Sequence, residues 1–257
     1  RQYPAIARPL LLSRRHAAIS SPMPEANLKN IALLIDADNA SHHGIDPVLT
    51  VLAELGQVNI RRAYGNWAKP ALSNWNKISH RYGLQPVQQF DLTKGKNATD
   101  IAMTIDAIDL LNAGKVDGFG IMSSDSDFTP LVTRLRQDGL IVYGFGSDKA
   151  PDAFKTACTR YIDVDQLIRT NSTDDKPDNG GQIDSELVEL LGDAWKAAKR
   201  DDKGFASLGE VGKIAGNRSS FDTRNYGFKR LSDLIESIDQ FQVERRGDNG
   251  LYVKRLR

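Results

Sequence analysis

A single cysteine, Cys158, stands among the 257 residues. That excludes an internal disulfide and any zinc site built on two or more thiolates. Long apolar runs are missing too: none approaches the roughly 20 residues that a bilayer-spanning helix needs. Neither charge dominates, with 34 Lys and Arg against 33 Asp and Glu, so bulk electrostatics give no reason to bind a polyanion. The four histidines are poorly placed for chemistry. His42 and His43 adjoin in a polar loop, His80 lies near an expected helix end, and none has H-E-x-x-H spacing. Gly144 and Gly146 make a G-x-G, but after the fifth expected strand and without a third glycine, so no dinucleotide loop follows. Cys158 lacks a triad and is expected in the core.

What is present is enough apolar residue, 40% of the chain, for a globular core. Residues 30–168 alternate strand and helix patterns, as an α/β sheet does. The expected strands are 31–36, 58–65, 84–90, 118–124, 140–146 and 161–164. They are so uniformly apolar that both faces should be covered, hence mostly parallel pairing. Asp46-Pro47 should open one helix and Thr129-Pro130 another, which Gly139 should close. Residues 169–182 are polar, with Gly and Pro and no periodicity, and read as a linker. Beyond them "SELVELLGDAWKAAKR" is amphipathic. Ser207 and Glu210 have capping-box spacing, Asp222 can cap one continuous helix over "TRNYGFKRLSDLIESI", and two strand-like runs flank a turn. Three helices and a hairpin in about 75 residues suggest a winged helix. At the other end, residues 1–22 hold Arg1, Arg8, Arg14 and Arg15 and no acid. That composition suits an organellar transit peptide or a disordered leader; we expect a leader over 1–27 and a cytoplasmic protein.

The carboxylates are the informative feature. In a parallel sheet the carboxyl ends of the strands converge on the crevice where ligands bind. Asp36 ends the first strand, with Asp38 and Asn39 just beyond; Asp125 and Asp127 follow the fourth. Asp100 opens the helix of "TDIAMTIDAIDLL". Asp100 and Asp127 could each serve merely as helix N-terminal acids. Four carboxylates around one crevice, however, repel and raise one another's pKa unless a cation neutralises them. A hard divalent ion takes all-oxygen ligands, and Mg²⁺ needs only one or two direct carboxylates with waters and phosphate. Asp106 lies six residues past Asp100, about 240° around the helix, and so faces elsewhere.

"IALLIDADN", "KNATDIAMTIDAIDLL" and "GFGIMSSDSDFTPLV" resemble the three acidic blocks of the NYN domain, a PIN-like nuclease family, over about residues 28–168. "LLGDAWKAAKRDDKGFASLGEVGKIAG" with "FDTRNYGFKRLSDLIES" resembles the LOTUS or OST-HTH domain, over about 183–257. The resemblance implies a metal-dependent ribonuclease using Mg²⁺ or Mn²⁺, joined to an RNA-binding winged helix. It makes Asp36, Asp100, Asp125 and Asp127 the catalytic and metal-binding acids, with Asn39 and Asp38 in support.

An acidic site needs other groups to bring RNA to it. Lys94 and Lys96 stand just before Asp100, and Tyr64, Asn66, Trp67 and Lys69 follow the second strand on the crevice rim, where Trp67 could stack on a base. In the second module Arg224, Tyr226, Lys229, Arg230, Arg245 and Arg246 are candidate RNA contacts, with Tyr226 equally suited to the core. That module carries 14 basic and 13 acidic residues. Affinity must therefore come from a local patch. Two other readings stand: a catalytically silent RNA-binding adaptor, and a HAD-like phosphatase using the D-x-D of Asp36 and Asp38. The expected partner is RNA, with no membrane; a homo-oligomer is compatible with the sequence.

Overall fold

The structure is a computed structural model; it describes residues 29–90, 98–171, 183–247 and 250–256. The expected leader and nearly all of the expected linker lie outside these residues.

The first unit alternates β1 (Asn30–Asp36), α1 (Ile45–Leu55), β2 (Gln57–Gly65), α2 (Ser73–Tyr82), β3 (Gln85–Gln88), α3 (Ala98–Asn112), β4 (Gly118–Met122), α4 (Thr129–Gln137), β5 (Ile141–Gly146), α5 (Asp152–Ala157), β6 (Arg160–Asp163) and α6 (Val164–Asn171). All six strands pair in parallel, in the order 3-2-1-4-5-6. Each expected strand is present. The apolarity of β1, β4 and β5 has the cause inferred from sequence: a layer of side chains packs on each face. Ile31, Leu33 and Ile35 of β1 join one layer with α1, Trp75 of α2 and Leu167 of α6. Ala32 and Leu34 join the other with Met103 and Ala107 of α3 and residues of α4 and α5. Cys158 is buried in that second layer, where burial pushes its thiol up to about 12.

The second unit comprises α7 (Ser185–Ala197), β7 (Ala206–Ser207), α8 (Leu208–Arg218), α9 (Leu231–Glu236), β8 (Phe241–Arg246) and β9 (Gly250–Arg255), with a small antiparallel sheet in the order β7-β9-β8. Leu187, Leu191, Val211, Leu234, Ile235 and Val253 form its own core. No helix among the described residues is long and apolar enough to cross a membrane.

Four local expectations need correction. A 3-10 turn at His42–Gly44 lets α1 begin at Ile45, so Asp46 sits inside the first turn instead of capping it. Ser207 precedes α8 but makes no side-chain capping hydrogen bond, and Glu210 accepts from the Lys199 backbone at 3.1 Å. The single helix expected after Asp222 is two pieces. Asp222 does cap a 3-10 turn over Thr223–Tyr226, accepting from the Arg224 backbone, but Gly227 then takes φ 84°. That left-handed conformation ends a helix. Finally, α6 runs to Asn171, three residues into the expected linker.

Between the units, the outer edge of β6 is covered by residues of the second. Tyr161 N donates to Ser220 O (2.9 Å) and Asp163 N to Asn225 Oδ1 (2.9 Å), while Asn225 Nδ2 donates to Tyr161 O (2.8 Å). The other sheet edge, β3, is four residues long and contains Pro86, a residue that sheets tolerate at edges because it cannot donate.

Gly146 ends β5 where the chain has no room for a side chain. A Cβ there would lie 2.4 Å from Tyr161 Oη and 2.6 Å from both Ser123 O and Ser124 Oγ. Gly146→Ala should therefore cost about 1–3 kcal/mol of stability, as overpacking does. Urea unfolding measures this; an unchanged midpoint would mean that the Ser123 backbone yields freely.

Candidate active site

The strand order reverses between β1 and β4, and in such sheets the crevice opens at the carboxyl ends of the two strands flanking the reversal. Asp36 is the last residue of β1, and Asp125 lies three residues beyond β4. Alternation puts Asp36 on the same face as Ala32 and Leu34, the face on which α3 packs. Asp100, in the first turn of α3, precedes the buried Met103 and Ala107 by three and seven residues, so it shares their stripe. Three chain segments thus deliver acids to one place.

Asp36 is fully buried. Its Oδ2 accepts from Ser123 Oγ at 2.9 Å and Asn39 Nδ2 at 3.0 Å. Its Oδ1 is buried with no hydrogen-bond partner among the described residues. Burial raises its pKa, the Asn39 and Ser123 hydrogen bonds pull it down, and the neighbouring Asp38 charge raises it further. Asp100 is partly buried and its carboxyl is pushed up to about 6. Desolvation is the main cause, followed by repulsion from Asp36, Asp125, Asp127 and Asp38. These acids share one electrostatic neighbourhood.

Ser123 joins the two strand ends, since its Oγ also accepts from Asp125 N at 3.1 Å. Asp125 Oδ1 accepts from Asp127 N at 2.8 Å, which caps the 3-10 turn Ser126–Phe128 leading into α4. The exposed Asp127 stands at that entrance. Asp38 accepts from Thr99 Oγ1 at 3.0 Å and lies 3.8 Å from Lys69 Nζ. Sequence reasoning missed Ser123 and Thr99. Each is a small hydroxyl residue adjoining an acid block, a common pattern that singles out neither.

The arrangement suits a hard cation in the chemistry of its donors, all oxygen, and in the unpartnered buried Oδ1 of Asp36. It is not a closed cage. Among the described residues, no three His, Cys, Asp or Glu side chains are grouped as ligands of one ion would be. Water ligands would have to complete any coordination, as Mg²⁺ commonly requires.

The remaining candidates are scattered. Lys94 and Lys96 lie outside the described residues. Tyr64 is not on the rim but fully buried, because its position on β2 turns the phenol toward α3, where it donates to Asp106. Arg62 pairs with the same carboxylate, so Asp106 does face away from the crevice. Trp67 is half-buried against the core and donates its indole N–H to Val87 O at 3.1 Å. Arg224 pairs with Asp222 (3.2 Å) and with Glu54 of α1. Tyr226 packs on the core of the second unit, and burial pushes its phenol up to about 12, aided by the charges of Asp184 and Glu186. Lys229, Arg230 and Arg245 are exposed. Arg246 pairs with Asp201 (2.6 Å) and Glu244 (3.2 Å) and covers the rings of Phe205 and Tyr252.

A family model described as the NYN domain matches residues 30–166, and one described as the OST-HTH/LOTUS domain matches residues 182–253. No curated protein matches the chain. Among solved structures, a protein of unknown function from Vibrio parahaemolyticus is 20% identical, covering 56% of this chain and 98% of its own, with TM-score 0.48. A carbohydrate transporter from Acidothermus cellulolyticus, in complex with myo-inositol, is 11% identical, covering 77% of this chain and 57% of its own, with TM-score 0.28. Neither likeness is close enough to bear on fold or function.

The raised Asp100 pKa has a consequence for stability. Below 3.8 the carboxyl is neutral in both folded and unfolded chains; the penalty for ionising it in the fold builds from there to about 6 and is complete above. Without divalent ions, Asp100→Asn should thus raise the melting temperature at pH 7.5 by a few degrees, about 1 kcal/mol after solvent screening. The gain should fade toward pH 4. A variant no more stable than wild type at pH 7.5 would show that ionising Asp100 carries no penalty in the fold.

Proposed function

Since this chain belongs to the NYN-domain family, with a PIN-like nuclease domain followed by an OST-HTH/LOTUS RNA-binding domain, we propose that it hydrolyses RNA phosphodiesters at the crevice between β1 and β4. The observation that carries this reading is the gathering of Asp36, Asp38, Asp125 and Asp127 around Asp100, whose carboxyl is held at about 6 by burial first and by those four charges second. Such a cluster costs stability, and phosphodiester hydrolysis with a divalent cation is chemistry that gives it a use.

Asp36, Asp100, Asp125 and Asp127 are the residues that would hold Mg²⁺ or Mn²⁺. Bound there, the ion would polarise the phosphodiester, lower the pKa of an attacking water and stabilise the leaving oxygen. The chain's own part is positioning. Ser123 and Asn39 fix one oxygen of Asp36 and leave the other unengaged. Asp125, anchored through its backbone to Ser123 and through Oδ1 to the Asp127 backbone, is held beside it. Thr99 ties Asp38 to the start of α3, which steadies the turn that presents Asp100. Lys94 and Lys96 would hold a phosphate at this site.

The assay is cleavage of end-labelled single-stranded RNA with Mg²⁺ or Mn²⁺. Wild type should shorten it, and Asp125→Asn should lower the rate about 100-fold or more, in the range seen when one electrostatic stabiliser of a transition state is lost, without loss of folding. Undiminished cleavage by Asp125→Asn would end this reading. RNA bound tightly but left intact by wild type across several metals would favour the silent adaptor, and turnover of a small phosphate ester through an aspartyl-phosphate would favour the phosphatase.

A further inference from the structure

Beside the contact that covers the β6 edge lies a groove of about 760 Å³, formed by the second unit and by Arg160 of the first. Arg160, the first residue of β6, lines it from the nuclease side; Lys213 of α8, Lys229 and Arg230 line it from the winged helix. Its single lining acid, Asp222, is buried and already faces Arg224 at 3.2 Å and Arg160 at 3.7 Å. Lys213 and Lys229 are exposed and make no ion pair among the described residues. The winged-helix unit is nearly neutral as a whole, yet this groove is strongly cationic. Gly216 of α8 also lines it and is exposed, with nothing within 4 Å of an added Cβ, so a ligand can approach the helix backbone closely.

Resting on the RNA-cleavage reading above, we propose that this groove is a composite binding track for the phosphate backbone of single-stranded RNA, and that docking of the two domains completes it by adding Arg160. The docking is specific. Asn225 behaves as one more residue of sheet, accepting from Asp163 N and donating to Tyr161 O through its side-chain amide, and Arg224 adds an ion pair to Glu54. Without this register Arg160 would not face Lys213 and Lys229 across one groove. Arg160 and Arg230 each face one carboxylate, Asp222 at 3.7 Å and Asp233 at 3.1 Å, while Lys213 and Lys229 make no ion pair among the described residues. Phosphate is the ligand class that fits such clustered, exposed cations, and its contacts supply affinity without reading sequence. Arg160 opens β6, whereas Asp36 ends β1 three strands away. An RNA held in both places must run along β6 for roughly 10 Å and cross about 14 Å of sheet. Long RNA would engage groove and crevice together, and very short RNA the crevice alone.

Fluorescence anisotropy on the full chain, without divalent ion, tests this using labelled single-stranded RNAs of about 20 and about 4 nucleotides, sizes that bracket common single-strand site lengths. Lys213→Glu and Arg160→Glu should each weaken binding of the longer RNA about tenfold near 0.1 M salt and lower the salt slope by about one, as loss of a phosphate contact does. Asn225→Ala should weaken it likewise, and in that background Arg160→Glu should cost little more, because the groove is already open. Cleavage of the shorter RNA with Mn²⁺ should be unaltered in all three variants. The proposal is overturned if wild type does not bind the longer RNA, if Lys213→Glu and Arg160→Glu bind as wild type does, or if Arg160→Glu costs as much in the Asn225→Ala background as alone. Lys213 is exposed, so its substitution reports on binding even should Asn225→Ala disturb folding. A chain that binds as described but cleaves nothing refutes the nuclease reading and leaves the groove standing.

Discussion

Mutual repulsion among carboxylates is the constraint on which this molecule turns. Asp36 is buried at a strand end, and burial, reinforced by the charges of Asp36, Asp125, Asp127 and Asp38, raises the pKa of Asp100 well beyond an ordinary carboxyl. A fold selected for stability alone would not place these groups together, since each raised pKa is a free-energy penalty at neutral pH. The parallel sheet makes the placement possible. Its reversal of order between β1 and β4 opens a crevice that neither strand's own hydrogen bonding needs to fill. Around it, Ser123 and Asn39 engage one oxygen of Asp36 and leave the other unsatisfied. Stability is thus sacrificed at one point, and packing on both faces of the sheet compensates.

Much of this was legible in the sequence, for a definite reason. Strands covered on both faces must be apolar without alternation, so β1, β4 and β5 could be recognised and parallel pairing inferred. Helix geometry alone turned Asp106 away from Asp100, and Asp106 indeed pairs with Arg62 and Tyr64. Asp36, Asp125 and Asp127 drew notice because charges directly after apolar strands are costly, and Asp100 because it opens a helix leading back to the same sheet.

The rest depended on competition that local pattern does not encode. Glu210 had two possible backbone partners, and the fold brought Lys199 to it in place of Ser207. Gly227 looked tolerable inside a helix until tertiary packing required a left-handed turn there. Tyr64 read as a rim residue because its burial is decided by α3, more than thirty residues on. Ser123 and Asn225 are common residue types whose importance lies in long-range partners. Charge behaved in the same way: the winged-helix unit is almost neutral in sum, yet Lys213, Lys229 and Arg230 gather on one wall. Composition averages over a surface that the fold has sorted.

The amide of Asn225 has one more consequence, for the behaviour of many copies of the chain in a crowded solution. An open strand border with free N–H and C=O groups invites pairing with an identical border on another molecule. At β3 brevity and Pro86 discourage such growth. At β6 the discouragement comes from the neighbouring domain, whose Asn225 and Ser220 occupy those backbone groups. Separation of the two units would therefore leave a sticky sheet margin, tying colloidal solubility to the same amide that sets domain register.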